Sequence, residues 1–146
     1  MSKIEKVLVT GKTHTTLSNG SSTARGLDIT LSSPGASKPA HEFKGTAPHP
    51  TAEQLFSGAW SACYIAAVEL VAKEMKVALP EGLAVQIEVD LGQTGKDYFL
   101  QARLTTRLPG LDREVASALV HAADQVCPYS KATRGNIDVV LDVITE

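Results

Sequence analysis

The chain is poor in cysteine, poor in aromatic residues and nearly balanced in charge. It contains two cysteines, aromatic residues make up 5% of its composition, and 14 basic side chains stand against 16 acidic ones, for a net charge of −2. Cys63 and Cys127 are far apart and form no CxxC motif, which excludes a four-cysteine zinc site and a thioredoxin-like motif. Without a positive excess there is no counterion release to drive nucleic-acid binding, and we expect none.

The sequence also lacks an apolar run at its N-terminus. Residues 1–6 carry charged side chains where a secretory signal needs apolar ones, so we expect no export signal and a reducing cytoplasm as the location. Hydrophobic residues at 43%, with 11 Gly and 7 Pro, are typical of a soluble globular protein, and we expect one domain over residues 1–146. The histidines show no metal-ligand spacing and no phosphate-binding fingerprint occurs, so we expect neither a metal nor a cofactor.

Strand signals in the first 31 residues are followed by a proline-rich segment. Val7-Leu8-Val9 opens a strand, Asn19-Gly20 suits a tight hairpin turn, and the alternation over residues 27–31 predicts a returning strand. Residues 32–50 contain four prolines and are predicted to form a long loop. Whether residues 34–50 gate a site stays open.

A long apolar helix is predicted to begin after Thr51. Thr51 and Gln54 match a capping box, and Glu53 suits the positive end of the helix dipole. From residue 55 to residue 72 the only charge is Glu69, so the run reaches the lower limit of transmembrane length. Because amphipathic strands flank the run, we favour a core helix buried on most sides over a membrane span, and expect no membrane partner.

The remaining sequence predicts a hairpin, a second helix and a last strand. Residues 83–91 and 100–108 alternate between apolar and polar side chains, as in a two-stranded hairpin. Asp112 can cap a helix that leads into Cys127. The apolar face of this helix is predicted to hold Val115, Leu119, Ala122 and Val126. With a strand over residues 137–143, the element order favours an α+β fold over a doubly wound parallel sheet.

Both cysteines have a structural and a chemical interpretation. Cys63 lies inside the most apolar helix, where a cysteine is commonly a small buried hydrophobe. Cys127 precedes Pro128, which suits the start of a short helix toward Gly135. The thiol of Cys127 therefore lies either at a helix C-terminus, which raises a thiol pKa, or at an N-cap, which lowers it. If the fold brings the two thiols together, they form an oxidisable dithiol, but the residues alone do not say which one attacks.

An attacking thiol needs a nearby cation or a helix N-terminus to lower its pKa. Arg25 and Arg134 are both available. Glu53 could orient such an arginine, yet in one straight helix it lies about 15 Å along the axis from Cys63. Either the helix breaks near Gly58, or a long arginine bridges the two residues, or Glu53 only favours the helix dipole.

Three separated motifs stand out: PTAEQLF and WSAC in residues 50–63, LPGLDR in 108–113, and CPYSKATRGNIDV in 127–139. Together they resemble the organic hydroperoxide resistance (Ohr) proteins of the OsmC/Ohr superfamily. The resemblance implies a thiol peroxidase for alkyl and fatty-acid hydroperoxides, reduced by a lipoylated protein or another dithiol. It also implies an intertwined homodimer of α+β fold, with antiparallel sheets wrapped around two central helices. It assigns the peroxidatic cysteine to Cys63, the resolving cysteine to Cys127 and an arginine-orienting glutamate to Glu53.

One segment departs from the family pattern. Ohr proteins usually carry the activating arginine in a Gly-Arg-Asp-Gly-like turn of the first hairpin, whereas residues 17–21 here are LSNGS. We expect Arg25, on nearby sequence, to take this role with Glu53.

Two other functions compete with the peroxidase. A cysteine-nucleophile acyl hydrolase would need a general base, and no histidine is near either cysteine in the sequence. A non-catalytic small-molecule-binding or osmotic-stress dimer would use its cysteines only for packing.

Overall fold

The computed structural model describes residues 2–16 and 51–146, which form four strands and three helices. The predicted turn at residues 19–20, the predicted strand over residues 27–31, the predicted loop over residues 32–50 and Arg25 lie outside the described residues. In chain order the elements are β1 (Lys6–Thr16), α1 (Ala52–Met75), β2 (Ala84–Thr94), β3 (Asp97–Arg107), α2 (Arg113–Val126), α3 (Pro128–Thr133) and β4 (Asp138–Ile144).

The described strands form one mixed sheet in the order β1-β2-β3-β4. β1 pairs antiparallel with β2, and β2 pairs antiparallel with β3, in which Ala84 lies opposite Arg107. The α+β fold and the β2-β3 hairpin are thus confirmed. The expectation of antiparallel sheets is wrong for β4, which runs parallel to β3 with Gln101 opposite Asp138. The reason is the connection: α2 and α3 carry the chain back along the sheet, as parallel pairing requires.

Alternation along the strands places one face of the sheet in the core. On β2, Val85, Ile87 and Val89 are fully buried, as are Leu104 on β3 and Leu108 just after it. The predicted inward residues of the last strand also pack against this core, namely Ile137, Val139, Leu141 and Val143. The two-residue period therefore predicts the buried face of each described strand in the second half of the chain.

The capping box at the start of α1 is confirmed. The Thr51 side chain accepts a hydrogen bond from the Gln54 amide at 3.2 Å, and the Gln54 side chain accepts one from the Thr51 amide at 2.9 Å. α1 then continues unbroken for 24 residues to Met75, and its C-cap residue Lys76 has a left-handed φ of 57°. Gly58 therefore does not break the helix.

α1 is the core helix of the fold, although it is long and apolar enough to cross a membrane. It packs against β1, β2, α2 and α3. Half of its most apolar 18-residue window is buried, so the expectation of burial on most sides was too strong. The exposed positions include the small residues Ala59, Ala62 and Ala66.

The buried face of α2 matches the predicted one in part, because Leu119 is fully buried and Ala122 packs against the core. Asp112 caps the helix as predicted, since its side chain accepts hydrogen bonds from the amides of Glu114 and Val115. Val115 and Val126 are 38% and 37% exposed. The buried residues follow the i, i+3, i+4, i+7 spacing that packs against α1, namely Ala116, Leu119, Val120 and Ala123. The prediction followed the larger apolar side chains and rotated the buried stripe by about one residue.

Candidate active site

The two cysteines, which are distant in the sequence, lie side by side in the fold. The Cys127 thiol donates to the Cys63 sulfur, and the two Sγ atoms are 3.5 Å apart. Both thiols are free. Cys127 is fully buried, whereas Cys63 is partly exposed, so Cys63 is the thiol that a solute can approach.

Cys127 occupies both of the positions that its sequence allowed. Its amide closes α2 by donating to the Ala123 carbonyl at 2.9 Å, and its own carbonyl accepts the first bond of α3 from Lys131 at 3.0 Å. Pro128 follows at the first position of α3. With φ −60° and ψ 120°, Cys127 is the extended residue between two helices.

Two buried hydrogen bonds join α1 to the helices on either side of Cys127 in the sequence. The Trp60 indole Nε1 donates to Ser130 Oγ at 3.2 Å and joins α1 to α3. The Tyr64 hydroxyl donates to the Val120 carbonyl at 3.0 Å and joins α1 to α2. Burial raises the pKa of Tyr64, which keeps its hydroxyl protonated as a donor.

The sequence alone does not identify the hydrogen-bond partners of Trp60 and Tyr64. The available signal was that a buried indole N–H or phenol O–H needs an acceptor. Which acceptor it finds depends on the tertiary fold.

The described surroundings of Cys63 favour its protonated form. Burial, as the largest effect, raises the pKa of the Cys63 thiol, and contact with Cys127 adds to the rise. The backbone N–H of Tyr129, at the start of α3, hydrogen-bonds to the sulfur and lowers the pKa in part. No cation contributes within residues 2–16 and 51–146, so the described residues alone do not supply the expected activation.

Glu53 is held in a buried position at the start of α1. It is 7% exposed, and its Oε2 has no hydrogen-bond partner among the residues described. β1 packs directly on it: a Cβ on Gly11 would lie 2.6 Å from the Glu53 Cβ and 2.5 Å from the Gln54 amide nitrogen. Ser57 Oγ donates to the Glu53 carbonyl at 2.7 Å.

The unbroken course of α1 removes one of the three explanations for Glu53, the break near Gly58. Glu53 and Cys63 lie on one continuous helix, so the predicted separation of about 15 Å along the axis stands and the two side chains cannot meet directly. A buried carboxylate oxygen is costly unless a donor reaches it, and among residues 2–16 and 51–146 none donates to Glu53 Oε2.

Arg134, one of the two candidate arginines, is engaged elsewhere. Its Nη2 donates to Asp124 Oδ2 at 2.7 Å and to the Asp124 carbonyl at 2.9 Å. It therefore ties the end of α3 to α2.

Comparison with known proteins places this site in a family. Residues 44–142 match the family model described as OsmC-like protein. The chain is 39% identical over 147 aligned residues to the organic hydroperoxide resistance protein of Xanthomonas axonopodis pv. citri (strain 306), covering 97% of this chain and 98% of that protein. It is 38% identical over 117 residues to the organic hydroperoxide resistance protein OhrB of Bacillus subtilis (strain 168), covering 80% of this chain and 82% of that one.

A solved structure agrees over nearly the whole chain. The crystal structure of an organic hydroperoxide resistance protein from Elizabethkingia anophelis, with crystallant-derived thiocyanate bound, is 30% identical with a TM-score of 0.69, and the match covers 98% of this chain and 100% of that one. The family match covers well over half of the chain and includes both cysteines. The chain therefore belongs to the OsmC-like protein family, among relatives named organic hydroperoxide resistance proteins.

Proposed function

We propose that this chain is a thiol peroxidase that reduces organic hydroperoxides to alcohols. The observation that carries the proposal is the 3.5 Å contact between Cys63 and Cys127, both free, in a chain whose relatives are named for organic hydroperoxide resistance. Oxidised within one protomer, such a pair forms an intrachain disulfide. The resemblance to Ohr proteins supplies the substrate class, which is alkyl and fatty-acid hydroperoxides.

Cys63 is the attacking thiol in this proposal because it is the partly exposed member of the pair. Its thiolate attacks the outer peroxide oxygen, the O–O bond breaks, and the alcohol leaves with a proton, which gives Cys63 sulfenic acid. The Cys127 sulfur then attacks the Cys63 sulfur, the S–O bond breaks, and water leaves with the Cys127 proton. The two sulfurs need to approach by only about 1.5 Å to reach disulfide bonding distance.

An external dithiol completes the proposed cycle. It reduces the Cys63–Cys127 disulfide by thiol exchange and is itself oxidised. A lipoylated protein is our proposed reductant, as the family resemblance implies, and a cytoplasmic location would keep both thiols reduced between cycles.

Activation of Cys63 falls to Arg25 and Glu53 in this proposal. Two observations support it: the described surroundings raise the pKa of the Cys63 thiol, and Glu53 presents a buried oxygen that needs a donor. A guanidinium can satisfy both, because it pairs with a carboxylate and lowers the pKa of a nearby thiol.

The active protein is proposed to be an intertwined homodimer. Support comes from the exposed small side chains of α1, which allow close approach of another backbone, namely Ala59, Ala62 and Ala66.

The test is intact-mass analysis after one equivalent of cumene hydroperoxide, on the wild type and on each Cys→Ser variant. The wild type is expected to lose two hydrogens. Cys127→Ser is expected to gain one oxygen on Cys63, because no resolving thiol remains. Cys63→Ser is expected to stay unmodified, since the buried Cys127 thiol is not reached.

Three results would contradict the proposal. Free thiols in the wild type after peroxide would favour a non-catalytic binding dimer. Equal oxidation of Cys63→Ser would make Cys127 the attacking thiol. Thioester hydrolysis that survives Cys127→Ser, without peroxide turnover, would favour the acyl hydrolase.

A further inference from the structure

A buried side-chain hydrogen bond ties α3 to α1 next to the two thiols. Trp60 Nε1 donates to Ser130 Oγ at 3.2 Å, with Trp60 fully buried and Ser130 2% exposed. Trp60 precedes Cys63 by three residues, and Ser130 follows Cys127 by three residues. The hydrogen bond therefore lies about one helical turn from the sulfur on each side of the contact.

The position of α3 depends on such contacts. α3 has only six residues, far fewer than an isolated helix needs for stability in water. It starts immediately after Cys127, so a displacement of α3 moves the Cys127 sulfur as well.

Space for that displacement exists beside the hydrogen bond. A cavity of about 200 Å³ lies between α3, the end of α2 and β4, and Ser130, Thr133 and Leu141 are among the residues that line it. An α3 released from Trp60 could shift toward this space. The contact with α1 therefore holds α3 at Ser130, while the Arg134–Asp124 pair holds only its far end.

We propose that the Trp60–Ser130 hydrogen bond holds Cys127 in place for disulfide closure, which makes Ser130 a positioning residue. The inference rests on the proposed peroxidase function and concerns its second step. In that step the Cys127 sulfur bonds to the Cys63 sulfur, the S–O bond of the sulfenic acid breaks, and water leaves. A fixed α3 keeps the required approach near 1.5 Å.

Slower closure has a chemical consequence. A sulfenic acid that waits longer meets a second hydroperoxide more often and is oxidised to sulfinic acid, which no dithiol reverses. Loss of the hydrogen bond should therefore increase inactivation at high peroxide concentration.

The test compares Ser130→Ala, Trp60→Phe and the double variant by quenching with an alkylating agent after cumene hydroperoxide and measuring disulfide by mass spectrometry. Each single variant is expected to slow closure by about two- to tenfold, the range that one net hydrogen bond supports. Each is also expected to raise the sulfinic acid fraction under excess peroxide. The rate of the first step is measured separately in the Cys127→Ser background, so that closure is isolated.

The double variant distinguishes a specific hydrogen bond from general packing. If Trp60 and Ser130 act through their mutual bond, the double variant closes no more slowly than the slower single variant. Multiplied effects would assign both residues to independent packing and overturn the inference. Trp60→Phe keeps an aromatic ring in the same place, so it serves if Ser130→Ala fails to fold.

Two further variants complete the design. Ser130→Thr keeps the hydroxyl and can place its methyl group toward the cavity, so it is expected to restore fast closure. Ser117→Ala, on α2, is the matched serine control and should close like the wild type.

The outcomes separate this inference from the proposed function. If the wild type forms no disulfide with peroxide, the proposed function fails. If the wild type forms it and Ser130→Ala closes equally fast, only the positioning role of Ser130 fails.

Discussion

An ion pair on the outer face of the sheet should make the free energy of unfolding of this protein depend on pH. Arg103 on β3 donates two hydrogen bonds to the Asp90 carboxylate on β2, from Nη1 to Oδ2 at 2.6 Å and from Nη2 to Oδ1 at 3.1 Å. The Asp90 side chain is only 3% exposed, and Arg103 Nε also binds Glu88 at 3.1 Å. Because Arg103 satisfies a buried carboxylate bidentately, its removal leaves Asp90 without its main counter-charge.

The magnitude follows from the pKa of Asp90. Hydrogen bonding to Arg103, as the largest effect, together with bonds from Thr10 and Gln101, lowers the pKa of Asp90 to about 2 from its usual 3.8. A lowered folded-state pKa stabilises the fold above the unfolded pKa, and this stabilisation is lost as the pH falls toward 2. At 1.36 kcal/mol per pKa unit, the stabilisation at neutral pH is about 2 kcal/mol.

The assay is urea unfolding of Arg103→Met at pH 7 and at pH 3, beside Arg107→Met as a control on the exposed end of the same strand. Arg103→Met is expected to lose about 2 kcal/mol at pH 7 and clearly less at pH 3, where part of the wild-type advantage has already been lost. The control should unfold like the wild type at both pH values. An Arg103→Met deficit that is the same at pH 3 and pH 7 would refute the reasoning, because it would assign the loss to packing of the arginine stem.

Two further predictions concern the activation of Cys63 and the placement of Glu53. Arg25→Ala should lower the peroxidase rate at pH 7 by about tenfold or more and move the half-maximal rate to higher pH, because the pKa of the thiol rises when its cation is removed. An unchanged rate at pH 7 would remove Arg25 from the mechanism. Gly11→Ala should reduce the free energy of unfolding by about 1–3 kcal/mol in urea, since its Cβ would lie 2.5 Å from the Gln54 amide nitrogen and force β1 away from α1. Gly95→Ala, whose Cβ would meet nothing within 4 Å but whose φ is +59°, shows the cost of a left-handed backbone without a steric clash, about 1–2 kcal/mol. Equal stability of Gly11→Ala and the wild type would contradict the close contact with Glu53.

Features that depend on neighbouring residues could be predicted from the sequence. The Thr51 and Asp112 caps are confirmed because a cap involves only the following three residues. The inward faces of β2, β3 and β4 are confirmed because side chains alternate strictly along a strand. The contact of Cys63 with Cys127 could not be predicted from neighbouring residues alone, since it depends on how α1 packs against the junction of α2 and α3.

Features that depend on long-range packing were harder to predict. The direction of β4 is set by its connection through α2 and α3, and not by its own alternating pattern. Val115 and Val126 are as apolar as the buried Val120, and only packing against α1 decides which of them faces the core. Ser130 gives no sign in the sequence that it accepts a hydrogen bond from Trp60, because a serine near a helix start has many possible partners.

The geometry of the thiol pair originates in the break between α2 and α3. Pro128 has no N–H, so the Asp124 carbonyl, four residues earlier, loses the bond that would continue α2. The Arg134 guanidinium donates to this carbonyl at 2.9 Å and to the Asp124 carboxylate at 2.7 Å. α3 is long enough to bring Arg134 back to the end of α2, so the carbonyl that Pro128 leaves without an N–H donor is paired with a guanidinium. The spacing from Pro128 to Arg134 thus explains how α2 can stop at Cys127 without leaving the Asp124 carbonyl unpaired.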